Sequence, residues 1–235
     1  KTLKEDLEIL EKYRPYVDMV ELRGDFLQDD ENLYMRNFPR LAGIPCILTI
    51  RRKIDGGKFD EGEASRTTLF ARALSFADVE NHSSNFQYVD FEDDFSIPSL
   101  QDATLAFGTK IIRSAHDMFN PVYNLAERLE NMKQSPYEIP KIAFMPHSLD
   151  DVTNMFVEAE KLKDRNHILI AMGPLGGPSR ILSHKLKNFL TFVSPADIES
   201  NLHTLGHLDP IELNDLYHFK NINEDTGIYG ITGWP

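Results

Sequence analysis

Two spacings of apolar residues alternate along this chain. Short continuous apolar runs are followed by longer stretches in which apolar residues recur every three or four positions. The first stretch, Thr2 to Arg14, carries Leu3, Leu7, Leu10 and Tyr13 at helical spacing, and Thr2 with Glu5 makes a capping box that starts a helix. Apolar runs at Asp18–Arg23, Pro45–Arg51, Tyr88–Glu92, Lys110–His116, Ile139–Pro146, His167–Met172 and Leu190–Val193 read as strands. Helices are expected over Glu31–Leu41, Ala64–Val79, Ser99–Phe107, Pro121–Met132, Asp150–Leu162, Pro178–Leu186 and Asp209–Tyr217. Ala64–Val79 puts Leu69, Phe70, Ala73, Leu74 and Ala77 on one face, and Pro121 suits a first helical turn. A charged glycine-rich loop fills Ile54–Gly62, and a glycine-rich turn lies at Gly173–Gly177.

Continuous apolar strands alternating with helices indicate an α/β fold with a parallel sheet. The seven strands are one short of a closed (β/α)8 TIM barrel, and because the chain opens on a helix, the first strand is expected to precede Lys1. The length of 235 residues suits such a barrel, and 41% apolar residues supply a core. Residues 1–222 are expected to form it. The segment 223–235 does not fit the period and looks like a linker with the first strand and turn of another unit, Ile228 to Gly233.

No run of about 18 apolar residues exists, so no membrane-spanning segment is expected, and no secretory signal opens the chain. The single cysteine, Cys46, lies in an apolar run and has no partner for an internal disulfide, which fits a reduced, cytoplasmic setting. The net charge of −12 argues against nucleic acid and anionic membranes as partners. A small anion would need a local cluster of arginines.

Such a cluster can be read from the strand ends. Glu21 and Arg23 end the first strand, Arg51 the second, Asp90 and Glu92 the third and His116 the fourth; Lys141 lies inside the fifth, and Arg180 follows the glycine-rich turn. In a (β/α)8 barrel the C-terminal strand ends form the active-site mouth, so these residues should converge. Each alone has a bland reading: a strand-end lysine reaching solvent, a satisfied structural histidine, a rim ion pair. A lysine in an apolar strand must reach water, pair with an anion or lose its proton. A neutral amine adds to a ketone and loses water to give a protonated imine, which makes a proton on the neighbouring carbon acidic. A histidine, with an ordinary pKa of about 6.5, can take that proton and return one to a leaving hydroxyl. Arginine clamps a carboxylate with two parallel bonds, and backbone N–H groups of the glycine-rich turn offer an anion site.

On these residues the chain resembles the type I 3-dehydroquinate dehydratases of aromatic amino acid biosynthesis. The matching motifs, spread over nearly the whole chain, are Glu21-Leu22-Arg23-Gly24-Asp25, Thr49-Ile50-Arg51 followed by Asp55-Gly56-Gly57, Tyr88-Val89-Asp90-Phe91-Glu92, Ser114-Ala115-His116-Asp117, Pro140-Lys141 to Pro146, and Met172-Gly173 to Arg180. The resemblance implies a (β/α)8 barrel, no metal and no cofactor. It implies that Lys141 forms the Schiff base, that His116 is the general acid and base, and that water leaves 3-dehydroquinate to give 3-dehydroshikimate. Arg180 matches the arginine that binds the substrate carboxylate, and Glu21, Arg23, Arg51 and Asp55 match substrate-contacting positions. Asp90 matches an acidic position that orients the histidine. Asp55 stands where the family often has glutamate, which shifts a hydrogen bond without removing it.

One stretch departs from the pattern. Where the family carries a Ser-Ala-Pro-Gly-Gln loop over the substrate, this chain reads His203-Thr204-Leu205-Gly206-His207, so His203 and His207 take two substrate-binding positions. The segment Asp225 to Pro235 is similar to the link into a shikimate dehydrogenase domain, the partner fused to the dehydratase in bifunctional proteins; the nucleotide-binding part would lie beyond Pro235, so no redox activity is expected here. Two other readings stay open: a Schiff-base aldolase of the same barrel type, and a non-catalytic barrel serving as scaffold for a fused dehydrogenase.

Overall fold

The computed structural model describes residues 1–75, 78–162, 166–196 and 204–229. Six strands lie in one sheet in chain order: β1 (Val20–Arg23), β2 (Cys46–Thr49), β3 (Tyr88–Glu92), β4 (Lys110–Asp117), β5 (Ile139–Phe144) and β6 (Ile168–Ala171). Every neighbouring pair is parallel. The sheet is a half-barrel with helices on its outer side. These are α1 (Leu3–Tyr13), α2 (Phe38–Ala42), α3 (Glu63–Leu74), α4 (Pro98–Ala106), α5 (Leu125–Met132), α6 (Leu149–Ala159), α7 (Gly177–Ile181) and α8 (Pro210–Asp215).

The period of two along each strand decides what faces the cleft. Outward residues Leu22, Leu48, Val89 and Phe91 join Phe70 of α3 in one outer cluster, where the Phe70 and Phe91 rings meet edge to face at 4.9 Å. Ile142, Phe144 and Leu169 pack under α5 and α6 in a second. Inward residues Ile47, Ile112, Ile139, Ala143, Ile168 and Ile170 form a third cluster on the concave side. Every strand-borne candidate residue shares that inward parity: Glu21 and Arg23, Asp90, His116, Lys141.

Five expectations change. The helix expected over Pro178–Leu186 is the short α7, which ends at Ile181 because Leu182 leaves the helical region. The segment Leu190–Val193 is not a strand: among the described residues it contributes one parallel bridge, Val193 to Leu208. Its backbone is tied another way, since the Phe192 carbonyl accepts a bond from the Arg180 side chain rather than from a neighbouring strand. The helix expected over Glu31–Leu41 is a series of 3-10 turns leading into α2, because Pro39 lacks an N–H and starts a new helix rather than continuing one. The Ala64–Val79 helix stops at Leu74, with Ser75 extended. The Pro121–Met132 helix begins only at Leu125, after Asn124 takes a left-handed conformation that asparagine tolerates. Residues 223–229 form no helix or strand, and 230–235, with the expected start of a further unit, lie outside the described residues.

Candidate active site

The inward side chains meet in a cleft at the C-terminal ends of the strands. Lys141 and His116 line it together with Glu21, Arg23, Arg51, Asp55, Arg180 and His207. His203 lies outside the described residues.

Lys141 is buried in the middle of β5 and meets its need for an anion locally. Its Nζ donates to Asp90 Oδ2 at 2.9 Å and lies 4.5 Å from the centre of the Phe192 ring. The register explains the reach: Lys141 sits beside Ser114, and Asp90 occupies the next strand on the same face. Asp90 also receives Arg51 on Oδ2 at 2.8 Å and the Ser114 hydroxyl on Oδ1. Burial alone would push its carboxyl up. The Arg51 and Lys141 cations outweigh that and hold Asp90 well below the usual carboxylate range. Asp90 thus directs its bonds to Lys141, Arg51 and Ser114; its influence on His116 is electrostatic. That is a different arrangement from an aspartate that orients the histidine through a hydrogen bond, and the cause is that both oxygens are already engaged by closer donors.

Arg51 also donates to Glu92 Oε1 at 2.7 Å and to the Ser114 hydroxyl at 3.0 Å. Burial weakens a guanidinium, but Asp90 and Glu92 more than compensate and keep Arg51 above its ordinary value. Glu92 is held from behind by Arg66 of α3. On β1, Glu21 accepts the Thr49 hydroxyl at 2.6 Å, and Arg23 makes a two-pronged pair with Asp25 at 2.9 and 2.7 Å. Asp55 sits on a small loop closed by a bridge between Arg52 and Phe59, with its carboxylate on Arg52 Nε at 2.7 Å. Loss of water nonetheless pushes Asp55 up, with Arg52 opposing.

His116 and Arg180 differ from this pattern. His116 Nδ1 is buried with no hydrogen-bond partner among the described residues. Loss of water, then the Arg51 and Lys141 cations, hold the imidazole well below its usual pKa, so it stands neutral and ready to accept a proton. Arg180 donates to two backbone carbonyls, Phe192 at 3.3 Å and Leu205 at 2.9 Å, and its Nε has no hydrogen-bond partner among the described residues. Without a carboxylate beside it, burial pulls its pKa down to about 10. The loop that supplies Leu205 turns at Gly206, φ 79°, where an added Cβ would lie 2.5 Å from the Gly173 carbonyl oxygen. Only glycine permits that approach, which seats His207 over the cleft. Loss of water and the nearby Arg180 and Arg23 hold His207 neutral as well.

Sequence reasoning missed Arg66 and Phe192 and gave Glu92 no role beyond ending a strand. Arg66 carried a signal: it stands at helical spacing with Phe70 and Ala73 on the buried face of α3, and a charge in an apolar stripe needs a buried partner. Phe192 lay in a segment read as an ordinary strand. The assembled groups offer an amine for carbonyl addition, a neutral imidazole for proton transfer, and a guanidinium with no anion of its own among the described residues.

The sequence profile of the type I 3-dehydroquinases matches residues 1–224. The chain is 29% identical over 223 residues to the bifunctional 3-dehydroquinate dehydratase/shikimate dehydrogenase of Arabidopsis thaliana, covering 93% of this chain but 35% of that protein, about a third of its length. It is 30% identical over 222 residues to the 3-dehydroquinate dehydratase of Coxiella burnetii, covering 92% of this chain and 88% of the relative. The crystal structure of 3-dehydroquinate dehydratase from Geobacillus kaustophilus superposes with a TM-score of 0.76 at 22% identity, over 92% of this chain and 86% of that one.

Proposed function

The chain belongs to the type I 3-dehydroquinase family, and on that premise we propose that it removes water from 3-dehydroquinate to give 3-dehydroshikimate through an imine on Lys141. The observation that carries the reading is the pairing, in one cleft, of a buried lysine held on Asp90 with a neutral histidine whose Nδ1 has no hydrogen-bond partner among the described residues. Lys141, as the free amine, adds to the substrate ketone, and loss of water leaves a protonated imine. The iminium draws electrons from the neighbouring carbon. His116 takes the proton from that carbon, the electron pair forms a carbon–carbon double bond, and the hydroxyl leaves as water with a proton returned from His116. Hydrolysis then frees Lys141. Arg180 holds the substrate carboxylate, with Arg23, Arg51, Glu21, Asp55, His203 and His207 contacting the ring substituents. Asp90 and Arg51 keep the Lys141 amine in place.

In the same reading the six strands belong to an eight-strand barrel, which agrees with a site at the C-terminal strand ends. The chain would work in the cytoplasm, where its buried Cys46 thiol, pushed up to about 12 by burial, stays unreactive. No helix among the described residues is long and apolar enough to cross a membrane. The bifunctional relative supports a fused dehydrogenase as the partner of this unit.

The direct test is an intact-mass spectrum after mixing the protein with 3-dehydroquinate and borohydride, followed by peptide mapping. We expect a stable adduct on Lys141, and loss of both adduct and turnover in Lys141→Ala. No adduct on folded protein would overturn the reading in favour of a non-catalytic barrel. Adducts and cleavage with sugar phosphates instead of 3-dehydroquinate would point to an aldolase.

A further inference from the structure

Behind the cleft a line of buried charges runs from Lys141 to the outer helix layer. Lys141 Nζ lies 2.9 Å from Asp90 Oδ2, which lies 2.8 Å from an Arg51 nitrogen. Arg51 reaches Glu92 Oε1 at 2.7 Å, and the second Glu92 oxygen accepts from Arg66. Arg66 does not line the cleft. It is fully buried on α3 among Phe70 and Phe95, and its remaining donors go to the Ile50 carbonyl at 3.1 Å and to Glu63 at 2.8 and 3.2 Å.

Counted along this line, Asp90 and Glu92 stand against Arg51 and Arg66, two charges against two. Lys141 is the surplus cation. Glu63 has a side chain that is 54% exposed, so water screens it. When Lys141 gives up its proton to become a nucleophile, the buried line behind it is left neutral. We infer that Arg66 is a positioning residue for Lys141, acting through Glu92 and Arg51 to balance the charge that would otherwise keep the amine protonated. The inference rests on the imine reading above and deepens it by naming what lets the amine act.

Removing the charge at Arg66 leaves Glu92 dependent on Arg51 alone. Arg51 then no longer offsets Asp90, and Lys141 must serve as its counter-ion. The other charged and titratable groups that line the cleft with Lys141 keep their side chains in this variant: Glu21 and Arg23 from β1, Asp55 from the loop after β2, His116 from β4, Arg180 from α7 and His207 from the loop over the cleft. β6 contributes only the apolar Ile168 and Ile170 to the inward face.

The test is the pH dependence of the borohydride-trapped 3-dehydroquinate adduct, read by mass in the whole chain. Arg66→Met should move the pH of half-maximal trapping up by about one unit, the size of a nearby-charge effect. Arg66→Lys, which keeps the charge, should leave it near the wild-type position. Glu92→Gln should move it down, and the Arg66→Met/Glu92→Gln double variant, which restores the balance, should bring it back. A merely structural ion pair would lower the urea midpoint without moving the trapping midpoint. An unmoved midpoint in folded Arg66→Met overturns the inference. If that variant does not fold, Glu92→Gln decides, and an unmoved or raised midpoint there overturns it equally. A wild-type chain that traps nothing overturns the imine reading and this inference with it, so the two failures are told apart by the wild-type arm.

Discussion

On the β2–β3 side of the cleft each charged group is matched at hydrogen-bond distance. Arg51 holds Asp90 and Glu92, Glu92 holds Arg66, and Asp90 holds Lys141. On the side made by β4, α7 and the 204–207 loop, His116 Nδ1 and Arg180 Nε have no hydrogen-bond partner among the described residues, and Arg180 leans on two neutral carbonyls. An unpaired buried donor costs free energy, roughly 1 to 3 kcal/mol, and a folded chain keeps one where something else is meant to supply the partner. The matched wall therefore sets the field at Lys141, and in the proposed reaction the unmatched wall is where substrate would complete the bonding. The same contrast separates the arginines: Arg23 is neutralised by Asp25, whereas Arg180 has no carboxylate within salt-bridge distance among the described residues.

Two substitutions on the unmatched wall should break this contrast if it is wrong. The larger effect belongs to His116→Ala. General acid–base catalysis contributes about 100- to 10,000-fold, and kcat should fall by that much while a Lys141 adduct still traps. A variant that neither turns over nor traps would place His116 in imine formation itself. Arg180→Ala comes next. Losing a charge-assisted carboxylate clamp of about 1.5 to 3 kcal/mol should raise KM roughly 10- to 150-fold with kcat little changed. Arg23→Ala, where the charge is already matched by Asp25, should raise it by less. Equal KM values for the two variants would remove the distinction between the walls.

The sequence carried the matched parts of the structure better than the unmatched ones. Six of the seven expected strands match their observed bounds to within two residues, because apolar runs bounded by turns are local signals. Of the residues read from the strand ends, Glu21, Arg23, Arg51, His116 and Lys141 line one cleft and Asp90 and Glu92 lie behind it, since strand parity and parallel order follow from the same pattern. Leu190–Val193 misled because an apolar run says that a segment is buried and not which backbone it pairs with; here the Arg180 side chain takes a carbonyl that a ladder would have used. For Asp90 the resemblance implies a position that orients the histidine; that its hydrogen bonds go to Lys141, Arg51 and Ser114 depends on how the strands and the following loop pack, which a linear pattern does not carry. Arg66 was overlooked because it is remote in sequence from every strand end, although its place in the Phe70 stripe marked it as a buried charge.

The smallest expected effect concerns stability, and it separates the walls by pH. His116 and His207 have folded pKa values held below the unfolded value of about 6.5. Between the folded and unfolded values the unfolded chain binds protons that the folded chain does not, so stability rises with pH there and falls on acidification below about pH 6.5. Each histidine contributes a slope of at most about 1.4 kcal/mol per pH unit. Asp90 acts in the same sense but in a more acidic window. Its depressed carboxyl gives stability that is complete above about pH 3.9 and is lost only as pH falls through the folded value. Urea midpoints measured from about pH 7.5 down to about pH 4.5 should therefore decline from the histidine window onward, before Asp90 titrates. His116→Gln should flatten part of that decline and leave the more acidic limb in place. A wild-type midpoint that holds level down to about pH 4.5 would mean that the two histidines keep their ordinary proton affinity on folding, and that the unmatched wall is better solvated than its geometry implies.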